Sequence, residues 1–220
     1  MSFYPILLDW QGVPCLIAGG GAIALHKAEL LCAHGADVTV VAPVICPELS
    51  ALPVTVHRRR VTAEDTADKR LVIDATGSGE AERMLRDACR WQGIPFNSAC
   101  RVGDGTAVFP AVHQTGRTVV AVSTLGASPA ACTRLRDELA AHVPEEMDAI
   151  LDGMAALRPL SREWFDDQPT RRRFLHRCLD KMFFTAESCK HVLLTVYHGI
   201  PFLKGSKRHR KMMMLSFSSL

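Results

Sequence analysis

The sequence has no cysteine pair at CxxC spacing, no apolar run long enough to span a bilayer and no internal repeat. Its eight cysteines, at 15, 32, 46, 89, 100, 132, 178 and 189, are scattered. Without paired spacing, the usual zinc and redox frameworks are excluded, and a reduced compartment is the natural reading. Met1-Ser2-Phe3-Tyr4-Pro5 places no basic segment ahead of an apolar core, so a soluble, cytoplasmic protein is expected. No second histidine or carboxylate stands at ligand spacing from His113, which therefore reads as a surface residue, and no metal site is expected.

What is present suffices for a folded core: 220 residues, 48% of them hydrophobic, suit one large domain or a domain with a helical appendage. The formal charge of +3, from 26 basic and 23 acidic residues, is too small to specify a partner. The basic residues concentrate near the end, in Lys204-Gly205-Ser206-Lys207-Arg208-His209-Arg210-Lys211. Without interleaved aromatics this run reads as a solvated tail, so neither nucleic acid nor membrane is expected as a partner.

Val13 to Ala18 is an apolar run ended by three glycines, and apolar residues then recur at helical spacing to His34, where Gly35 stops them. Asp37 to Ala42 follows as a β-branched run closed by Pro43, which completes a βαβ unit of about 30 residues. Further strands are predicted over Pro53 to His57, Arg70 to Ala75 and Ile94 to Phe96, with a helix from Gly79 to Trp91. This alternation predicts a doubly wound parallel sheet. Thr106 to Val112 and Arg117 to Ser123 then read as a hairpin around Gln114-Thr115-Gly116, and Ser128-Pro129 as the N-cap and first position of a helix running to about His142. Helices are expected from Glu145 to Leu157 and from Ser161 to about Met182, interrupted at Pro169. The fold class is thus α/β: an N-terminal Rossmann-like parallel sheet over 1–112, a small strand-plus-helix region over 113–144, a helical C-terminal domain over 145–184 and a basic tail over 185–220.

The segment Gly19-Gly20-Gly21-Ala22-Ile23-Ala24 places Gly19, Gly21 and Ala24 at the three positions of a GxGxxG/A turn. Glycine there lets the backbone bend sharply and approach a pyrophosphate, while the following helix aims its free N–H groups at the phosphates. The match alone is weak; its place between an apolar strand and an amphipathic helix carries the assignment. Gly19, Gly21, Ala22 and Ile23 are therefore the candidate pyrophosphate contacts. The second strand ends in Val41-Ala42-Pro43, with neither the acidic residue that binds ribose hydroxyls nor an arginine for a 2′-phosphate. Ribose contacts fall to Pro43 and Val44, or to Asp74, Ala75 and Thr76 at the fourth strand's end, and NAD is favoured over NADP.

These residues resemble the siroheme-synthase dehydrogenase domain, found alone as precorrin-2 dehydrogenase and in some members as a sirohydrochlorin ferrochelatase. The matching pieces are Tyr4-Pro5-Ile6, Gly19-Gly20-Gly21 with Lys27 and Leu30-Leu31, Gly35 to Pro43, Ala75-Thr76, Phe96-Asn97, Val108-Phe109-Pro110-Ala111 and Val122 to Pro129, in order over about residues 4 to 140. The resemblance implies a homodimer whose 113–144 region dimerises and whose helical domain covers the substrate. It also implies NAD-dependent oxidation of precorrin-2, an anionic tetrapyrrole, to sirohydrochlorin, with Asn97, Thr124 and Ser128 contacting substrate. Arg171-Arg172-Arg173 either joins them or forms a solvated helix face.

Two departures stand out. Where the family has an aspartate implicated in dehydrogenation and chelation, this chain has Cys100, with Asp104 four residues on. Cys100 is either a thiolate proton acceptor or a small buried hydrophobe, and Asp104 either a base or the centre of a Gly-Asp-Gly turn. These two are the catalytic candidates, and the missing aspartate points to dehydrogenation without metal insertion. The second departure, Thr76-Gly77-Ser78, lacks the family's aspartate after the threonine and bears on the cofactor rim. A non-catalytic tetrapyrrole or dinucleotide binder and a bifunctional dehydrogenase/ferrochelatase are the alternatives; an unrelated short-chain oxidoreductase is disfavoured because no Tyr-x-x-x-Lys pair occurs.

Overall fold

The computed structural model describes residues 3–99 and 105–185. Cys100, Asp104 and the tail from 186 onward lie outside the described residues. The chain divides into two compact units, one of residues 1–111 with 122–132, the other of 112–121 with 133–220.

The first unit is built on five parallel strands in the order β3-β2-β1-β4-β5. In chain order these are β1 (Pro14–Ala18), α1 (Ala22–Ala33), β2 (Asp37–Val41), α2 (Pro47–Ser50), β3 (Thr55–His57), a 3-10 turn at Ala63–Thr66, β4 (Leu71–Asp74), α3 (Gly79–Gln92) and β5 (Phe96–Ser98). β1 lies between β2 and β4, with Leu16 opposite Thr39 and Val72. A parallel sheet covered on both faces needs apolar residues on both. Accordingly Cys15 and Ile17 pack with Ala24, Ala28 and Leu31 of α1, and Leu16 and Ala18 pack with Leu85 and Cys89 of α3 on the other face. Gly35 ends α1 at φ +78° and Gly93 ends α3 at φ +70°, left-handed positions that suit glycine.

Besides β3, which begins at Thr55 rather than Pro53, two strand boundaries differ from expectation. β5 begins at Phe96 rather than Ile94, because Gly93 still caps α3 and Pro95 has no N–H to give the ladder. Thr106 and Ala107 do not enter the hairpin: both donate to the Phe96 carbonyl, while the Thr106 hydroxyl accepts from the Phe96 N–H at 2.9 Å. The hairpin therefore starts after Pro110, as β6 (Ala111–Thr115) paired with β7 (Thr118–Val122).

After β7 comes α4 (Pro129–Ala140), then α5 (Met147–Trp164) and α6 (Gln168–Thr185). The expected break between Leu157 and Ser161 is absent: α5 runs through Pro159, and the interruption falls at 165–167 rather than at Pro169. Leu157, Ser161 and Trp164 continue one buried face past the proline, and that packing outweighs the lost backbone bond. The face packs against Phe174, Cys178 and Met182 of α6, with the Trp164 and Phe174 rings edge-on at 5.8 Å. Arg117, in the hairpin turn, donates to the Asp148 carbonyl at 2.8 Å and to Asp152 Oδ1 at 2.7 Å on α5. Among the described residues no helix is long and apolar enough to cross a membrane.

Candidate dinucleotide-binding site

The carboxyl ends of parallel strands, where neighbouring crossovers diverge, form the natural crevice of a doubly wound sheet. Here β1 delivers its three glycines to that edge, and each meets a different surrounding. Gly19, at φ +124°, donates to the Val41 carbonyl at 3.0 Å, and a Cβ on it would meet the Ala75 carbonyl. Gly20 accepts from Cys46 N–H at 2.9 Å, and its Cβ would collide with the Val44 carbonyl oxygen. Both are required by backbone packed against them. Gly21 is different: nothing lies within 4 Å of where its Cβ would be, and it is exposed.

Gly21 is the N-cap of α1 and offers no side chain to cap it, while its carbonyl accepts the first helical bond, from Leu25 N–H at 3.0 Å. The opening turn of α1 thus keeps its N–H groups available, with positive helix-dipole charge behind them and open space in front. That combination fits a pyrophosphate. Ala22 and Ile23 are exposed beside the space, as are Pro43 and Val44, the latter 81% exposed.

Opposite the glycines, β4 ends in Asp74, which is only 1% exposed and turned onto its own loop. Its Oδ1 accepts from the Thr76 hydroxyl at 2.7 Å and the Thr76 N–H at 3.1 Å, and the Thr76 hydroxyl in turn accepts from Ser78 N–H. Burial pushes the Asp74 carboxyl above its ordinary value; the Thr76 bonds oppose that shift and nearby Glu82 adds to it. Asp74 thereby holds Ala75 and Thr76 in place, and Ala75 N–H bonds back to the Ala18 carbonyl at 2.7 Å. Next to it, Ser98 donates to buried Glu82 at 3.0 Å.

Asn97, on β5 beside Ile73, is buried. Its Nδ2 donates to the Ala107 carbonyl at 2.9 Å, while its Oδ1 is buried with no hydrogen-bond partner. An unmatched buried amide oxygen is uncommon and asks for a donor. Thr124 and Ser128, by contrast, are engaged with each other. The Thr124 hydroxyl accepts from Ser128 N–H at 3.1 Å and contacts Cys132 Sγ, and Ser128 Oγ accepts from Ala131 N–H at 3.2 Å as the cap of α4. Arg171 donates to the Phe165 and Asp166 carbonyls that follow α5, Arg173 to Thr170, and Arg172 is exposed. His113 shares a 2.8 Å contact with Thr115. Among the described residues no cluster of three or more histidine, cysteine or carboxylate side chains could hold a metal.

Sequence reasoning passed over two features. The Asp74–Thr76 bond is invisible in the sequence because it depends on how the loop after β4 folds back. The other is Lys27 on α1, whose Nζ lies 4.1 Å from the centroid of the Phe109 ring. Both residues belong to the motifs that carried the resemblance, yet nothing in their spacing announces that they touch.

Comparison with known proteins agrees with this geometry. Residues 6–111 match a family model described as putative NAD(P)-binding. Siroheme synthase of Nitrosomonas europaea is 34% identical over 188 residues, covering 83% of this chain and 40% of that protein. Siroheme synthase of Methylococcus capsulatus is 34% identical over 184 residues, covering 82% and 39%. The chain thus spans about 40% of the length of these relatives. The solved structure of SirC, precorrin-2 dehydrogenase, shares the fold, with a TM-score of 0.66 and 24% identity over 89% of this chain and 100% of that one. With an NAD(P)-binding model over its parallel sheet and siroheme synthases matching more than four-fifths of its length, the chain belongs to the siroheme synthase family.

Proposed function

We propose that this protein is an NAD-dependent precorrin-2 dehydrogenase that forms sirohydrochlorin and leaves metal insertion to another enzyme. The observation that carries the reading is the uncapped N-terminus of α1 facing open space at Gly21. When bound, NAD⁺ supplies the acceptor for the hydride; the accompanying proton leaves the ring for a side-chain base or water. The chain's own part is to bind and orient. Gly21, Ala22 and Ile23 take the pyrophosphate, Gly19 makes the tight turn that brings them to it, and Pro43 and Val44 with Ala75 and Thr76 form the ribose rim. NAD is preferred to NADP because the end of β2 itself, Val41-Ala42-Pro43-Val44, carries no arginine for a 2′-phosphate.

Asn97, whose buried Oδ1 lacks a donor, is the substrate-contact residue of β5. Thr124 and Ser128 shape a substrate-contacting loop through the bonds that cap α4. Cys100 and Asp104 are the candidate bases. Chelation needs a base to take two pyrrolic protons as the metal enters, whereas oxidation depends chiefly on placing the ring beside the nicotinamide. Cys100 standing where an aspartate is expected favours the second reaction alone.

A homodimer joined through the 113–144 region is part of this reading. β7 carries Val119, Val120 and Val122 on both faces yet buries none of them, and no residue of α4 is buried. An unshielded two-stranded hairpin is marginal by itself.

Anaerobic incubation with precorrin-2 and NAD⁺, following sirohydrochlorin absorbance, tests the activity. Binding of both ligands without turnover would identify a non-catalytic binder and reject the proposal. Adding cobalt or ferrous iron to sirohydrochlorin should give no insertion above the uncatalysed rate. Faster insertion would make the enzyme bifunctional.

A further inference from the structure

We infer that Lys27 is an oxyanion-binding residue of the crevice, holding either a phosphate of the dinucleotide or a carboxylate of the tetrapyrrole. The inference rests on the proposed function for its choice of these two ligands.

Lys27 is half-buried, and its ammonium lies over the Phe109 ring without a carboxylate partner. Phe109 is well anchored: it packs against the cluster around β1 and α1, and the chain just before it is fastened to β5 through Thr106 and Ala107. A ring face attracts a cation but takes none of its three N–H donors in a full hydrogen bond. The remaining donors are left for an anion, which a half-buried cation with no counter-charge beside it favours. Burial lowers the Lys27 pKa from its ordinary value, in keeping with that lack.

Position supports the same conclusion. Ala24 and Ala28 face the sheet, which leaves Lys27 on the flank of α1, and helical side chains lean toward the helix N-terminus. Here that direction is toward the first turn of α1, which opens at Gly21. If Lys27 served only the fold, an apolar side chain stacked on Phe109 would serve better.

The test compares wild type with Lys27→Met, which keeps the stem and its contact with Phe109, and with Lys27→Arg, which restores the charge. Calorimetry with NAD⁺ and absorbance titration with sirohydrochlorin report the two possible oxyanions separately. Lys27→Met should weaken one of them at least about tenfold, flatten its salt dependence and leave the ligand-free melting temperature equal or higher. Lys27→Arg should recover most of the affinity. Loss with NAD⁺ alone assigns the phosphate, and loss with sirohydrochlorin alone assigns the carboxylate. Unchanged affinity for both, or a lower melting temperature with affinities intact, makes Lys27 structural and overturns the inference while the proposed function stands. If wild type binds neither ligand, the proposed function falls and this inference falls with it.

Discussion

The parallel sheet and the hairpin region with α4 spend similar apolar residues to opposite ends. In β1, Cys15 to Ala18 are fully buried, and all four residues of β4 are buried, including the charged Asp74. In β7, a run with three valines leaves Val119 and Ala121 exposed, and α4 exposes Leu135 and Leu139. The difference is not composition but what stands opposite: α1 and α3 cover the sheet on both faces, and none of the described residues fully buries the hairpin or α4. Apolar surface buried at a sheet's interior holds the fold, whereas apolar surface left open is what a partner would cover.

The largest effect that would sharpen this contrast is expected at Gly20. Adding a methyl there forces it into the Val44 carbonyl, so Gly20→Ala should cost on the order of 4 kcal/mol or more, read by urea unfolding. Gly21→Ala, one residue on, meets open space and should leave stability within about 0.5 kcal/mol, yet weaken NAD⁺ binding in calorimetry. Equal behaviour of the two variants would contradict the division into a structural and a ligand-facing glycine. Gly21→Asp should abolish NAD⁺ binding while the protein stays folded, because its carboxylate would occupy and repel the pyrophosphate position.

Next comes the core itself. Leu16→Ala, fully buried between the sheet and α3, should cost about 2–5 kcal/mol by thermal or chemical unfolding. Val119→Ser on β7 should change intrinsic stability by less than about 0.5 kcal/mol. Its effect should appear in sedimentation, as weaker self-association. A monomer of undiminished stability with no change in association would break the comparison, by showing that the exposed valines face only water.

Ser128→Ala removes the cap that α4 receives at Ala131 N–H, for an expected loss of about 1 kcal/mol. The smallest effect concerns Asp74. Its carboxyl is raised from its ordinary 3.8 chiefly by burial, so the ionised form is held at a cost in the folded protein. Its contribution to stability is fully present below its unfolded-state pKa and is lost as pH rises through the folded value. Asp74→Asn keeps an acceptor for Thr76 without the charge. The variant's melting temperature should therefore exceed that of wild type at pH 7, and the gap should close toward pH 4. A gap that widened on acidification would contradict burial as the dominant cause.

Much of the first unit was legible from periodicity and punctuation. The apolar run before Gly19, the helical spacing to Gly35 and the β-branched run before Pro43 each fell where the structure has β1, α1 and β2. Local signals failed where distant partners decide. Thr106 and Ala107 look like strand residues and lie instead against Phe96, and Pro159 looks like a breaker inside a helix that its packing carries through. At the site, the three glycines were evident as a motif, but their separate duties were not. The contact of Lys27 with Phe109 joins positions 82 residues apart in sequence, counting from 27 to 109, beyond the reach of any local pattern.

The sequence by itself determined the βαβ unit, the place of its glycine turn and the approximate extents of α1, α3 and α4, because these follow from backbone sterics and from hydrophobic period within a few turns of chain. The tertiary structure alone decided that Gly20 is locked by Val44 while Gly21 stands open, that Asp74 turns inward to Thr76, and that Asn97 and Lys27 keep unmatched polar groups. Those outcomes depend on which groups from remote segments arrive within hydrogen-bonding or van der Waals distance, and only the folded chain brings them together.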